Sequence, residues 1–280
     1  MVTRNQGVYA LLIMAAVMFA MIFIPSAPSQ TPESTSDVTP RLSPAPVSSE
    51  AASSPAPSSQ ATATPEPTPF CMEQARVYAD AVLENAFIYQ DLVDMKTLSD
   101  RFVFDIVYAH SGNFTGVPIY DRALCLAHGD MAHRLLTAQY ELDALGTGLR
   151  LLIYDIYRPT EMQRILRELT PEHQKKFVAR PGPRANHTKA AAVDCALAAE
   201  SGVPLEKPSG FDELNERAHI NYAGGTQEAR DNRDFLIDLM SRHGLVVASS
   251  EWWHFNLAGV ENYPVLDVSF EEFERAAAGR

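Results

Sequence analysis

The chain has 280 residues, with 35 acidic side chains against 23 basic ones and a formal charge of -12. That balance argues against a nucleic-acid partner, because phosphate contacts need a basic face. The acids are scattered over helix-patterned stretches and read as a soluble surface, so net charge by itself names no function.

The first stretch, MVTRNQGVYALLIMAAVMFAMIFIPSAPSQ, has Arg4 ahead of an uncharged apolar run over residues 8–24. The run is long for a signal-peptide core and at the lower limit for a membrane span. Residues 1–24 are therefore expected to form a membrane anchor, with cleavage near Ala27 and Ser29 as the alternative. With Arg4 held inside, the remainder is exported, and it is secreted if the segment is cleaved. Residues 25–69 are almost wholly Pro, Ser, Thr, Ala and a few acids. Such a segment cannot bury enough apolar surface to fold and reads as a disordered linker. It could hold a domain up to about 100 Å from the membrane, at roughly 3 Å per residue.

Residues 70–280 remain for one folded domain, enough for a well-buried core. Residues 71–88 and 129–145 have helical apolar spacing, and LRLLIYD (149–155) reads as a strand that a Tyr-Arg-Pro ends. Thr170-Pro171 is a helix-start signal for 170–177, and AAAVDCAL (190–197) is a short apolar strand. Residues 228–244 form an amphipathic helix that Gly244 closes, and 245–257 make a final strand or hairpin. This order predicts an α+β domain with a small, largely antiparallel sheet. Cys71 and Cys125 could pair in an oxidising compartment, whereas Cys195 lies in an apolar run and reads as a small buried hydrophobe.

Of the eight histidines, His110, His128, His133, His173 and His243 lack an evident partner and read as surface or helix-end residues. His187 leaves a Pro/Gly-rich loop, and seven residues later Asp194 sits inside an apolar strand. A carboxylate there needs a partner, since an unpaired buried charge is costly, and a metal ion would supply one. His254 lies in the equally apolar SSEWWHFNL. Two imidazoles and a carboxylate suit a catalytic zinc with a fourth position open, and Glu251 would then be the base. A satisfied core histidine and an aspartate bound to backbone amides are the bland alternatives. In a regular strand, residues three apart face opposite ways, so the reading requires a bend between Glu251 and His254.

H-x6-D (His187 to Asp194) followed by E-W-W-H (251–254) resembles the zinc D-alanyl-D-alanine dipeptidase family. YAHSGNFTG (108–116), YDIYRP (154–159), SGFDELNERAH (209–219) and NRDFLIDLMSRHGL also resemble it, in the same order, so the likeness covers about residues 95–270. It implies a single zinc-peptidase domain with one Zn2+ held by His187, Asp194 and His254. By the same resemblance Glu251 is the base, and Arg158 steadies the transition state. Tyr108 and Asp212 would hold the free ammonium of a small peptide, although Asp212 could instead cap a helix at 213–218. Asp155 is expected to fix structure beside Arg158, and His219 to be structural. Two positions depart from the family pattern: Ala185 where serine is usual and Ala190 where glycine is usual. The expected activity is hydrolysis of D-Ala-D-Ala outside the cytoplasmic membrane. The alternatives are a carboxypeptidase for longer cell-wall peptides and a silent wall-binding module; the oligomeric state stays open.

Overall fold

Apolar runs at strand spacing build the centre of the domain, and the computed structural model describes residues 70–280. The expected anchor and linker, 1–24 and 25–69, lie outside the described residues. Among the described residues no helix is long and apolar enough to cross a membrane.

The described residues form seven strands in chain order: β1 (Leu92–Asp94), β2 (Val103–Phe104), β3 (Leu126–His128), β4 (Arg150–Asp155), β5 (Ala192–Ala198), β6 (Leu245–Ala248) and β7 (Glu251–Leu257). β1 and β3 make a small antiparallel pair, and the other five form a sheet in the order β2-β4-β5-β7-β6. Every pairing in that sheet is antiparallel except β2 with β4. The expected α+β domain with a largely antiparallel sheet is what the chain adopts. All seven residues of β5 are buried, which is why AVDCALA reads as an unbroken apolar run rather than an alternating one.

Among the described residues five helices surround the sheet: α1 (Met72–Glu84), α2 (Gly129–Ala144), α3 (Thr160–Leu169), α4 (Gln227–Arg242) and α5 (Phe270–Ala278). α2 packs on β4 and α4 on β5 and β6, while α1 lies against α2. α4 ends as expected, with Gly244 at a φ of 79° where a side chain would be strained.

The stretch 170–177 is not a helix. It holds one 3-10 turn, Glu172–Gln174, and the helix precedes it as α3. Met162, Ile165, Leu166 and Leu169 carry the helical spacing, and Arg164 pairs with both Glu161 and Glu168 on the outer face. Thr170, a helix-start signal in the sequence, instead donates its hydroxyl to the Leu166 carbonyl and closes α3.

His243 is not a surface residue but is 2% exposed. Its Nε2 meets Glu141 Oε2 at 2.8 Å, its Nδ1 meets the Thr137 hydroxyl at 2.9 Å, and Arg242 donates to Glu141 from the other side. Burial alone would raise the Glu141 carboxyl, but these hydrogen bonds outweigh it and hold the group below its ordinary 4.5. The cluster ties the end of α4 to α2 with every charge partnered. His110 and His133 also have carboxylate partners, Asp105 at 2.8 Å and Asp80 at 3.3 Å.

The Cys71–Cys125 pairing is not formed. Cys71 is exposed at the start of α1, Cys125 is buried beside β3, and both are free thiols. Cys195 is fully buried in β5, as expected.

Candidate active site

β4, β5 and β7 are adjacent, and their register aligns the polar residues. Asp155 of β4 lies opposite Asp194 of β5, and Asp194 lies opposite His254 of β7. His187 comes from a 3-10 turn, Asn186–Lys189, just ahead of β5. One nitrogen from each histidine and one oxygen of Asp194 all lie within 4.8 Å of one another.

The bend demanded by Glu-x-x-His is present. On β6, Val247 and Ala248 are neighbours, yet they pair with Phe255 and Glu251 of β7. Trp252, Trp253 and His254 are thus extra residues on one strand, an enlarged bulge that slips the side-chain alternation. Glu251 joins His254 and Asn256 on the less buried face, while Trp252 and Trp253 are each 1% exposed. Glu251 Oε2 comes within 4.0 Å of His254 Nδ1.

The two tryptophans hold this distorted segment. Trp252 donates its indole N–H to Ser209 Oγ at 2.9 Å, and its ring meets Trp253 edge-on. Trp253 packs on Phe211, which stacks on Tyr154 with centroids 4.5 Å apart. The chain next to Phe211 is thereby fixed, and Asp212 follows with a φ of 56°. Asp212 caps no helix, because the following turn is Glu216–Ala218 and Asn215 caps it. Instead Asp212 accepts the Tyr108 hydroxyl at 2.7 Å. Burial, then the charge of Asp194, pushes the Asp212 carboxyl well above its usual range, so an arriving cation restores its charge.

The tautomers fit a metal. His187 Nδ1 lies 2.7 Å from the Ile156 carbonyl, which can only accept, so that nitrogen carries the proton and Nε2 turns a lone pair inward. His254 Nε2 lies 3.1 Å from Asn256 Oδ1, which also accepts from Asn186, so its inward atom is Nδ1. Nε2 of His187, Nδ1 of His254 and the Asp194 carboxylate then converge, 2.9 to 3.3 Å apart. Lone pairs so close to a carboxylate need a cation or a shared proton between them. Outer acceptors that fix each imidazole are the usual surroundings of metal-binding histidines. Burial opposes charge on His254, but the hydrogen bond and charge of Asp194 prevail and raise it to about 9. Burial likewise works against the Asp194 anion, yet the two histidines hold it far below its ordinary value. Glu251 is raised above 4.5, chiefly by burial, and a dication in the cluster would draw it back.

Arg158 is 5% exposed beside this cluster. Asp155 Oδ2 takes Nε and Nη2 at 3.1 and 2.6 Å, and Gln163 takes Nη1 at 2.8 Å. Tyr120 donates to the other Asp155 oxygen at 2.8 Å, and the guanidinium lies over the Tyr108 ring, 4.7 Å from its centroid. Five N–H groups less three engaged ones leave one donor on each terminal nitrogen. All seven expected site residues line one cleft of about 260 Å³, below the roughly 300–1,000 Å³ typical of drug-sized ligands.

His219 is exposed and outside this cleft. Sequence reasoning missed Asn256, Asn186, Gln163, Tyr120 and Phe211. Asn256 could have been found, since a strand's period of two puts it on the face of His254. Tyr120 carried no local signal.

Ala190 has the left-handed backbone, φ 52° and ψ 22°, that makes glycine usual there. It lies between His187 and β5, so the strain sits directly behind the cluster. Ala190→Gly is expected to raise unfolding stability by about 1 kcal/mol, measured by urea denaturation.

A family model described as D-ala-D-ala dipeptidase, Peptidase M15, matches residues 89–275. D-alanyl-D-alanine dipeptidase of Escherichia coli K12 is 37% identical over 183 residues, covering 65% of this chain and 93% of that protein. The D-alanyl-D-alanine dipeptidase of Enterococcus faecalis V583 is 28% identical over 206 residues, 67% of this chain and 98% of the relative. A solved LdcB LD-carboxypeptidase chain is similar at 17% identity and a TM-score of 0.37, covering 67% of this chain and 79% of that one. A family match of this extent, over a buried His–Asp–His cluster with a carboxylate beside it, makes the chain a metallopeptidase of the D-ala-D-ala dipeptidase family.

Proposed function

We propose that the protein hydrolyses D-alanyl-D-alanine to D-alanine, with Zn2+ held by His187, Asp194 and His254. The observation that carries this reading is the β7 bulge, which turns Glu251 onto the face of His254 at 4.0 Å. A zinc ion in such a site acidifies water and polarises a carbonyl oxygen.

Glu251 serves as the base, taking a proton from the attacking water and delivering it to the amine nitrogen as the peptide bond breaks. Arg158 offers its two unengaged N–H groups to the oxygen that gains charge, and Asp155 and Gln163 fix the guanidinium beforehand. Tyr108 and Asp212 bind the substrate's ammonium. Because the Asp212 carboxyl regains its charge only beside a cation, an acylated amine there would forgo that charge pair.

The apolar run at 8–24 and the linker at 25–69 support work outside the cytoplasmic membrane, with the domain tethered or released. That location also favours a second reading, trimming of D-Ala from longer wall peptides. One comparison separates the two: D-Ala-D-Ala against N-acetyl-D-Ala-D-Ala. The dipeptidase reading expects the acetylated substrate to fall by roughly a hundredfold or more in kcat/KM, in line with loss of a buried charge pair. Equal rates would overturn it in favour of the carboxypeptidase.

A further inference from the structure

A dipeptide with free ends brings two charges, and the proposed function accounts for one of them. The cleft presents three carboxylates, Asp194, Asp212 and Glu251, and two guanidinium groups, Arg158 and Arg184. Asp194 belongs to the histidine cluster, Glu251 faces His254, and Asp212 awaits the ammonium. Arg158 is buried, held by Asp155 and Gln163, and its remaining donors face the reacting carbonyl in the mechanism above. The substrate's terminal carboxylate therefore needs another donor.

The usual serine hydroxyl is missing at Ala185, which is 2% exposed. Its neighbour Arg184 is exposed and lines the cleft, and it forms no ion pair or hydrogen bond with any described residue. The backbone around it is set, because Ala185 N–H donates to the Gly182 carbonyl at 2.9 Å and Thr188 N–H to Ala185 at 3.0 Å. Arg184 precedes His187 by three residues, so the segment that carries the first imidazole also carries this free fork. The adjoining groove shares Phe177 and Leu214 with the cleft and adds Lys176 and Arg217, although Arg217 is already paired with Glu213. In a chain of charge -12, cations at this mouth draw an anionic terminus inward.

We infer that Arg184 is a specificity-determining residue that binds the C-terminal carboxylate of the substrate. This rests on the peptidase reading above. A guanidinium suits the role because two parallel N–H donors match a carboxylate. It also fixes where the substrate ends, since a carboxylate read at this rim is the C-terminus of the chain.

The test compares the parent and Arg184→Gln on D-Ala-D-Ala and N-acetyl-D-Ala-D-Ala, each as free acid and as C-terminal amide. Zinc content and melting temperature are measured for both proteins. On whichever peptide the parent cleaves, KM for the free acid is expected to rise about 10- to 100-fold in the variant, the scale of a charge-assisted hydrogen bond. The amide is expected to move less than about twofold, with zinc content and melting unchanged. An equal loss on acid and amide, or no loss on the acid, overturns the assignment and leaves the peptidase reading intact. A parent that cleaves neither peptide overturns both.

Discussion

Glu251→Gln is expected to lose roughly a thousandfold in turnover of D-Ala-D-Ala while keeping its metal. The amide has nearly the shape of the carboxylate but cannot accept the proton of the attacking water, and general-base catalysis is worth about 10²- to 10⁴-fold. The metal should stay, because the converging atoms come from His187, Asp194 and His254, with Glu251 beside them rather than among them. Bound zinc measured beside steady-state turnover checks both halves. If the glutamine variant works at the parent rate, Glu251 is not the base. If it also loses zinc, the residue is a ligand instead.

Arg158→Lys is expected to lower kcat by about 10²- to 10³-fold, the usual loss when a donor to the developing oxyanion is removed. Lysine preserves the charge opposite Asp155 but not the planar fork that can hold Asp155, Gln163 and a substrate oxygen together. KM should move little, because the two free donors are needed when the carbonyl oxygen becomes an anion rather than when the peptide docks. Steady-state kinetics gives the split directly. A rise in KM at constant kcat would make Arg158 a docking residue. The lysine variant is chosen because a neutral replacement leaves Asp155, 2% exposed, without its main partner and threatens the fold.

Local pattern carried much of this. The apolar runs that became β4, β5 and β7 are visible as runs, and Asp194 stands out because a carboxylate is costly in such company. Glu251 and His254 stand out for the same reason. What local pattern could not carry is pairing. Whether Glu251 shares a face with His254 depends on β6, where Ala248 pairs with Glu251 directly after Val247 pairs with Phe255. Asp155 looked like a local brace for Arg158, and it is one, yet it also accepts from Tyr120, 35 residues away in sequence, and lies opposite Asp194. His243 reads as a surface residue in sequence because its partner Glu141 lies on another helix. The helix at 160–169 escapes local pattern because Pro159 reads as the end of a strand and Thr170-Pro171 as the next beginning. In fact the first precedes the helix and the second closes it.

One zinc ion, held between β5, β7 and the turn at His187, is proposed to make this domain a dipeptidase. Metal-free protein titrated with zinc tests it most directly, with bound metal and D-Ala-D-Ala turnover followed together in the parent and in His254→Ala. Turnover is expected to rise with zinc and level off at one ion per chain, and the variant is expected neither to bind at that stoichiometry nor to gain activity. Full turnover in the metal-free parent, or zinc-dependent turnover that survives the loss of His254, would contradict it.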